Sequence, residues 1–200
     1  MNEEILINVT PQETRVAVIE QGAVQELRIE RNSSLGLVGN IYRGEVCRVL
    51  PGMQSAFVEI GLQRAAFLHA ADILECIVNG SESKKEKTIQ EVLHEGKPLI
   101  VQVIKEPIGS KGARLTTQIS IAGRFLVYLP QQDHIGVSQR IEDEAERESL
   151  RERLIKLLPE DRQGGYIIRT VSETATDEEL QADVNYLQKV WSNIQAASQD

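Results

Sequence analysis

Aromatic side chains are scarce in this chain, at 4% of 200 residues, with three phenylalanines, four tyrosines and one tryptophan. The position of each ring is therefore informative. Cysteine is scarcer still: Cys47 and Cys76 are the only two, and neither belongs to a CxxC pair. That excludes a disulfide framework and a four-thiolate zinc centre, and two buried free thiols in a reducing compartment are expected. The three histidines, His69, His94 and His134, are scattered; His69 with Asp72 offers two metal ligands, but nothing completes a set. No run approaches the roughly 18 apolar residues of a membrane span. The opening MNEEILINVT has glutamates where a signal peptide carries lysine or arginine, so a cytoplasmic protein is expected. Internal repeats, a Walker loop, a GxGxxG turn and a serine-centred nucleophile motif are all missing. No pair of acidic residues stands out as an acid/base or metal dyad, and nothing reads as a catalytic centre.

Excess positive charge is also lacking. The formal net charge is −8, which argues against a general nucleic-acid binder. The distribution is uneven, however. Residues 1–34 carry 3 basic and 6 acidic side chains, residues 35–118 carry 10 and 9, and residues 119–200 carry 9 and 15. The middle third is electrostatically distinct from its flanks.

What is present is a soluble-type composition, 41% hydrophobic and 26% charged, enough to bury a core. ILINVT, TRVAVIE and AVQELRIE are short β-patterned runs separated by the turn signals PQE and QG. Three such strands cannot bury a core alone. GNIYRGEVCRVL, SAFVEIG, AAFLHA, KPLIVQVIKEP and KGARLTTQIS supply five more, with a short helix, IQEVLHEG, before the fourth. The polar stretch NGSESKKEKTIQ reads as a mobile surface loop. Five strands with a helix in that place fit the small Greek-key OB-fold barrel, with another small β-barrel as the alternative. GRFLVYLP, HIGVSQRI and GGYIIRTVS are further strands. EDEAERESLRERLIKLLPE is a helix with Ala145, Leu150, Leu154, Leu157 and Leu158 as its apolar face. TDEELQADVNYLQKVWSNIQAASQD is another, opened by Thr176 and Glu179 as a capping box. The fold class is α+β.

Two constellations could carry chemistry. If Ala56 and Ala66 point into the barrel, Phe57 and Phe67 point outward on neighbouring strands. They would then form a stacking platform for single-stranded bases, flanked by Tyr42 and by Arg43, Arg64, Lys105, Lys111 and Arg114. Both rings lying in the core is the alternative. The second constellation is Arg169 and Thr170 at the end of an apolar strand that begins with Gly164 and Gly165. A guanidinium fork and a hydroxyl suit a terminal phosphate, while a surface salt bridge is the plainer reading.

INVTPQETRVAVIE, GNIYRGEVCRVLPGMQSAFVEIG, AAFLHAADI, KGARLTTQISIAGRFLVYLP, GVSQRIED and GGYIIRTV together resemble the N-terminal half of the ribonuclease E/G family, in order and over essentially the whole chain. The resemblance implies a bacterial endoribonuclease of ribosomal RNA processing and mRNA decay. Such enzymes cut single-stranded, AU-rich RNA with Mg²⁺ and prefer a 5′-monophosphate. It implies that residues 1–35 begin a ribonuclease H-like subdomain, that 36–118 form an S-one type OB-fold, and that 119–200 form a 5′-end sensor. The family's RNA-contacting positions fall on Phe57, Phe67 and Lys111. Its phosphate-sensing positions fall on Arg169 and Thr170, supported by Gly123 and Val127, with Arg140 in a second layer. The Mg²⁺-binding aspartates belong to a deoxyribonuclease I-like subdomain that lies beyond this chain. So does a cysteine pair that shares zinc between protomers of a homo-oligomer. The expectation is therefore an RNA-gripping portion without catalytic residues or metal of its own. The alternative is a stand-alone, non-catalytic RNA-binding or regulatory module. A third, weaker alternative is a ribosome-associated barrel protein whose acidic helices bind a protein partner.

Overall fold

Alternating β-branched and charged residues near the N-terminus build an antiparallel meander of β1 (Glu3–Val9), β2 (Glu13–Glu20) and β3 (Ala23–Arg31), in that order. Gln21 and Gly22 both have positive φ, 51° and 78°, the two-residue hairpin geometry that matches strand twist. Arg15, backed by Arg31, holds the Glu13 carboxyl below the usual carboxylate range. Among the described residues of the meander none is buried, and Ile5, Ile7, Val9, Val24 and Leu27 are each more than half exposed. The sheet has no core of its own, as its length led us to expect. The computed structural model describes residues 3–76, 87–159 and 162–199, and divides the chain into two units, 1–37 and 38–200.

The second unit opens with a closed barrel. Its strands are β4 (Ile41–Leu50), β5 (Ser55–Glu59), β6 (Ala66–His69), β7 (Pro98–Lys105) and β8 (Arg114–Thr116), and they close in the order β4-β5-β6-β8-β7. Only β6 and β8 run parallel. The order, and a single-turn helix α1 (Ile89–Val92) before the fourth barrel strand, are compatible with the expected OB-fold. Thr88 and Glu91 cap that turn reciprocally, and Ile89 and Leu93 are sunk in the interior. Val46, Ala56, Val58, Ala66, Leu68, Val101, Val103 and Leu115 fill the barrel, and each is at most 1% exposed. Gly44 is required here, because a Cβ would come within 2.6 Å of Val58 Cγ1 and 2.9 Å of the Glu59 carbonyl. Residues 79–86 of the polar stretch expected to be a surface loop lie outside the described residues.

One expectation is corrected in β4. Cys76 is buried, and burial pushes its thiol up, but Cys47 is exposed. The register of β4 against β5 shifts between Val46 and Arg48, so Cys47 is the extra residue of a bulge and turns outward.

A second, four-stranded sheet follows: β9 (Ile121–Ala122), β10 (Leu126–Leu129), β11 (Ile135–Val137) and β12 (Gly165–Ile168), ordered β11-β12-β10-β9. The helix α2 (Glu144–Leu157) connects β11 to β12, which pair in parallel, and α3 (Asp177–Ala197) packs on β10. Asp143 caps α2, accepting from the Ala145 and Glu146 amides. Thr176 and Glu179 cap α3 as their spacing predicts. Leu150, Leu154 and Leu158 pack inward from α2, but Ala145 is exposed, because it sits in the first turn, ahead of the core. The rings of Tyr128 and Tyr166 lie 5.0 Å apart in the centre of this layer.

Burial pushes the Tyr166 phenol from 10 up to about 12. A folded-state pKa raised in this way contributes stability that is complete below the unfolded value and lost as pH rises through the folded one. Denaturant midpoints should therefore fall between pH 10 and about 12. Tyr166→Phe should shrink that alkaline loss; an identical loss in the variant assigns it to other groups.

Candidate nucleic-acid interface

The barrel strands settle which way the two phenylalanines face. On β5 and β6, Ala56 pairs with Leu68 and Val58 with Ala66, all fully buried, so the residues between them point away from the interior. Phe57 and Phe67 are directly opposite one another on that outer face. Their rings meet edge-on, with centroids 6.2 Å apart and planes inclined by 67°. Phe57 is 37% exposed and Phe67 is half-buried. The His69 ring follows two residues along β6, 6.4 Å from Phe67.

Cross-strand pairing extends this pair into a row. Arg48 on β4 pairs with Phe57, Phe67 with Arg114 on β8, and Arg114 with Lys105 on β7. Arg114 is held in place: Nε and Nη2 each donate to Asp72 Oδ2 at 2.8 Å. Both rings, Met53 and Ile108 form the apolar part of a groove of about 810 Å³, and Arg64, Lys105, Lys111 and Arg114 surround it with one carboxylate, Glu106. Lys111 reaches the groove from a turn closed by its own amide on the Ile108 carbonyl, 3.0 Å. Gly112, next in sequence, lies so close to β6 that a Cβ would sit 2.1 Å from the Ala65 carbonyl oxygen. Of the cations expected to accompany the rings, Arg43 is elsewhere: it pairs with Ile100 of β7 and does not line the groove, nor does Tyr42. Arg43 is exposed, but it lies in the first part of β4, which pairs with β7, ahead of the residues that pair with β5.

The second constellation gathers at one end of the four-stranded sheet. Arg169 leaves the end of β12 exposed, and its Nη1 donates to the carbonyls of Gly123 at 2.6 Å and Arg124 at 3.3 Å. Among the described residues it has no carboxylate partner. Thr170 follows as the first residue of a short 3₁₀ turn, Thr170–Thr174. Val127 pairs with Ala122 and Ile167 in the same sheet. The parallel register of β11 and β12 ends with the Ser138 amide on the Ile168 carbonyl, 2.8 Å, and so brings the exposed Arg140 to this same end. All five residues share one end of one sheet.

A carboxylate that sequence reasoning passed over organises this end. Asp183 on α3 is buried and accepts from the amides of Arg124, Phe125 and Leu126 at 3.1, 2.9 and 2.9 Å. Gly123 has to be glycine beside it, since a Cβ would lie 2.6 Å from both carboxylate oxygens. The signal is in the sequence: Asp183 falls on the buried stripe Leu180, Val184 and Leu187, where a charge needs a partner. Among the described residues no group of three or more His, Cys, Asp or Glu side chains is placed to hold a metal ion. No helix among them is long and apolar enough to cross a membrane.

Residues 120–200 match the model of the Ribonuclease E/G family. The chain is 53% identical to a Ribonuclease G of Salmonella typhimurium and to one of Escherichia coli, over 97% of its own length and 40% of theirs. It is 38% identical to Ribonuclease E of Escherichia coli over 98% of its length and 19% of that protein's. The chain thus spans about 40% of the length of the ribonuclease G relatives it matches. With the same family reached through a family model and through relatives that match nearly the whole chain, this chain belongs to the ribonuclease E/G family.

Proposed function

We propose that this chain is the RNA-gripping and 5′-end-reading portion of a single-strand-specific endoribonuclease of the ribonuclease G type. The observation that carries the proposal is the outward, directly paired Phe57 and Phe67 in a groove surrounded by Arg64, Lys105, Lys111 and Arg114. Unpaired bases present π-faces that such rings stack on whatever the sequence, and Arg64, Lys105 and Lys111 follow the phosphates. A duplex offers no free face to stack, so the groove selects single strands. At one end of the second sheet, the donors of Arg169 that its loop bonds leave over, together with the Thr170 hydroxyl, suit a terminal phosphate monoester, which carries more charge than a bridging phosphate. In this reading the barrel is of the S-one type, the meander is a piece of a ribonuclease H-like subdomain, and Gly123, Val127 and Arg140 support the sensor. Cleavage, Mg²⁺ and its carboxylates belong to a catalytic subdomain outside these 200 residues. The whole enzyme would act in the cytoplasm on ribosomal RNA precursors and mRNA.

The test is binding and cleavage by this chain in Mg²⁺, with a single-stranded AU-rich oligoribonucleotide bearing a 5′-monophosphate and with the same RNA as a duplex. The expected result is binding of the single strand, weak binding of the duplex, and no cleavage. Cutting by the purified chain would overturn the division of labour. Equal binding of the two forms would overturn the stacking groove.

A further inference from the structure

We infer that Asp183 is a positioning residue for 5′-phosphate recognition, acting through the loop 123–126 that Arg169 grips. The inference rests on the sensor reading above. Three consecutive amides, those of Arg124, Phe125 and Leu126, converge on one buried carboxylate. Such a concave run of backbone N–H groups is a ready anion site. Here it is filled from within the protein, by a side chain of α3, so these amides are not available to an incoming phosphate.

The opposite side of the same loop faces Arg169. The Gly123 and Arg124 carbonyls accept from its guanidinium, and the Phe125 carbonyl accepts from the Arg169 amide at 2.9 Å and from the buried Ser172 hydroxyl at 2.7 Å. The loop is therefore clamped, its N–H groups on Asp183 and its C=O groups on Arg169 and Ser172. Fixing one side fixes the other. Asp183 polarises the amides whose carbonyls hold Arg169 Nη1, and this leaves the rest of the guanidinium fork oriented outward beside Thr170. Two observations make this more than a satisfied buried charge. The absent Cβ of Gly123 is the space the carboxylate occupies. In addition, all three of its bonds go to this one loop rather than to its own helix.

The experiment compares affinities for one oligoribonucleotide carrying either a 5′-monophosphate or a 5′-hydroxyl, read by fluorescence anisotropy for the wild-type chain and for Asp183→Asn. The carboxamide keeps the shape but loses the charge and leaves amides without an acceptor, so the monophosphate preference should fall by about tenfold. Affinity for the 5′-hydroxyl RNA, which the barrel holds, should be unchanged. A merely structural role would weaken both RNAs together, and that result overturns the proposal, as does a preserved preference. If Asp183→Asn does not fold, Gly123→Ala decides: it drives a methyl against the carboxylate while keeping the charge, and an undiminished preference there overturns the proposal. A wild-type chain with no preference at all would instead remove the sensor reading on which the proposal stands.

Discussion

Phe57→Ala should weaken binding of single-stranded RNA by roughly five- to 150-fold, the range that about 1–3 kcal/mol of lost base stacking implies. Barrel stability should change far less than it would for a core ring. Neighbouring Ala56 and Val58 are the residues buried on β5, whereas Phe57 is 37% exposed and its truncation removes contacts on the outer face, the edge-on contact with Phe67 among them. That contact is worth about 0.5–1.5 kcal/mol. Denaturant unfolding and RNA anisotropy on the same preparation separate the two effects. A loss of about 3–5 kcal/mol in stability, as for large-to-small changes in a core, would mean that the ring supports the barrel and would end the platform reading. Phe67→Ala should cost comparable affinity but more stability, because Phe67 is the more buried of the pair and packs between Phe57 and His69.

Arg169→Ala should abolish the preference for a 5′-monophosphate over a 5′-hydroxyl while the chain remains folded. Hydrogen bonds to a charged group are worth about 1.5–3 kcal/mol each, so loss of even one such bond corresponds to roughly ten- to 150-fold in affinity for the phosphorylated end. The side chain is exposed and, among the described residues, bonds only the Gly123 and Arg124 carbonyls, both of which can turn to water. Arg169→Lys keeps a positive charge without the planar fork, and an intermediate preference is expected. Competition between the two RNA ends on the variants measures it directly. A preference that survives Arg169→Ala would place phosphate recognition on other residues.

Strand alternation beside the small Ala56 and Ala66 allowed Phe57 and Phe67 to face outward but left a core placement open; the family resemblance favoured the outward pair, and the barrel register decides it. The opening of α3 was legible before any coordinates, where Thr176 and Glu179 stand at capping-box spacing. The row from Arg48 to Lys105 was not legible. It depends on two register shifts, at Val46/Arg48 and Val103/Lys105, and a bulge leaves no mark in hydrophobic period. The outward Cys47 comes from the first of these. The two-residue strand β9 is shorter than any periodic signal, and the parallel pairing of β11 with β12 is a property of the helical crossover between them. Arg140 and Arg169, 29 residues apart in the chain, share a sheet end only because of that crossover. Asp183 was visible as a charge on an apolar stripe, yet its partners lie 57 to 59 residues away and no local pattern names them.

The clasp between Asp72 and Arg114 changes what kind of group the barrel offers beside Phe67. Its carboxylate already offsets the guanidinium's charge, so at this position little attraction reaches a polyanion from a distance. What remains is a flat, delocalised plate of fixed orientation, set in line with two aromatic rings. A free arginine would surrender about 1.5–2 kcal/mol of rotamer freedom on being ordered by a ligand. Arg114 surrenders much of that when the chain folds, so a base arriving there meets a surface that is already still.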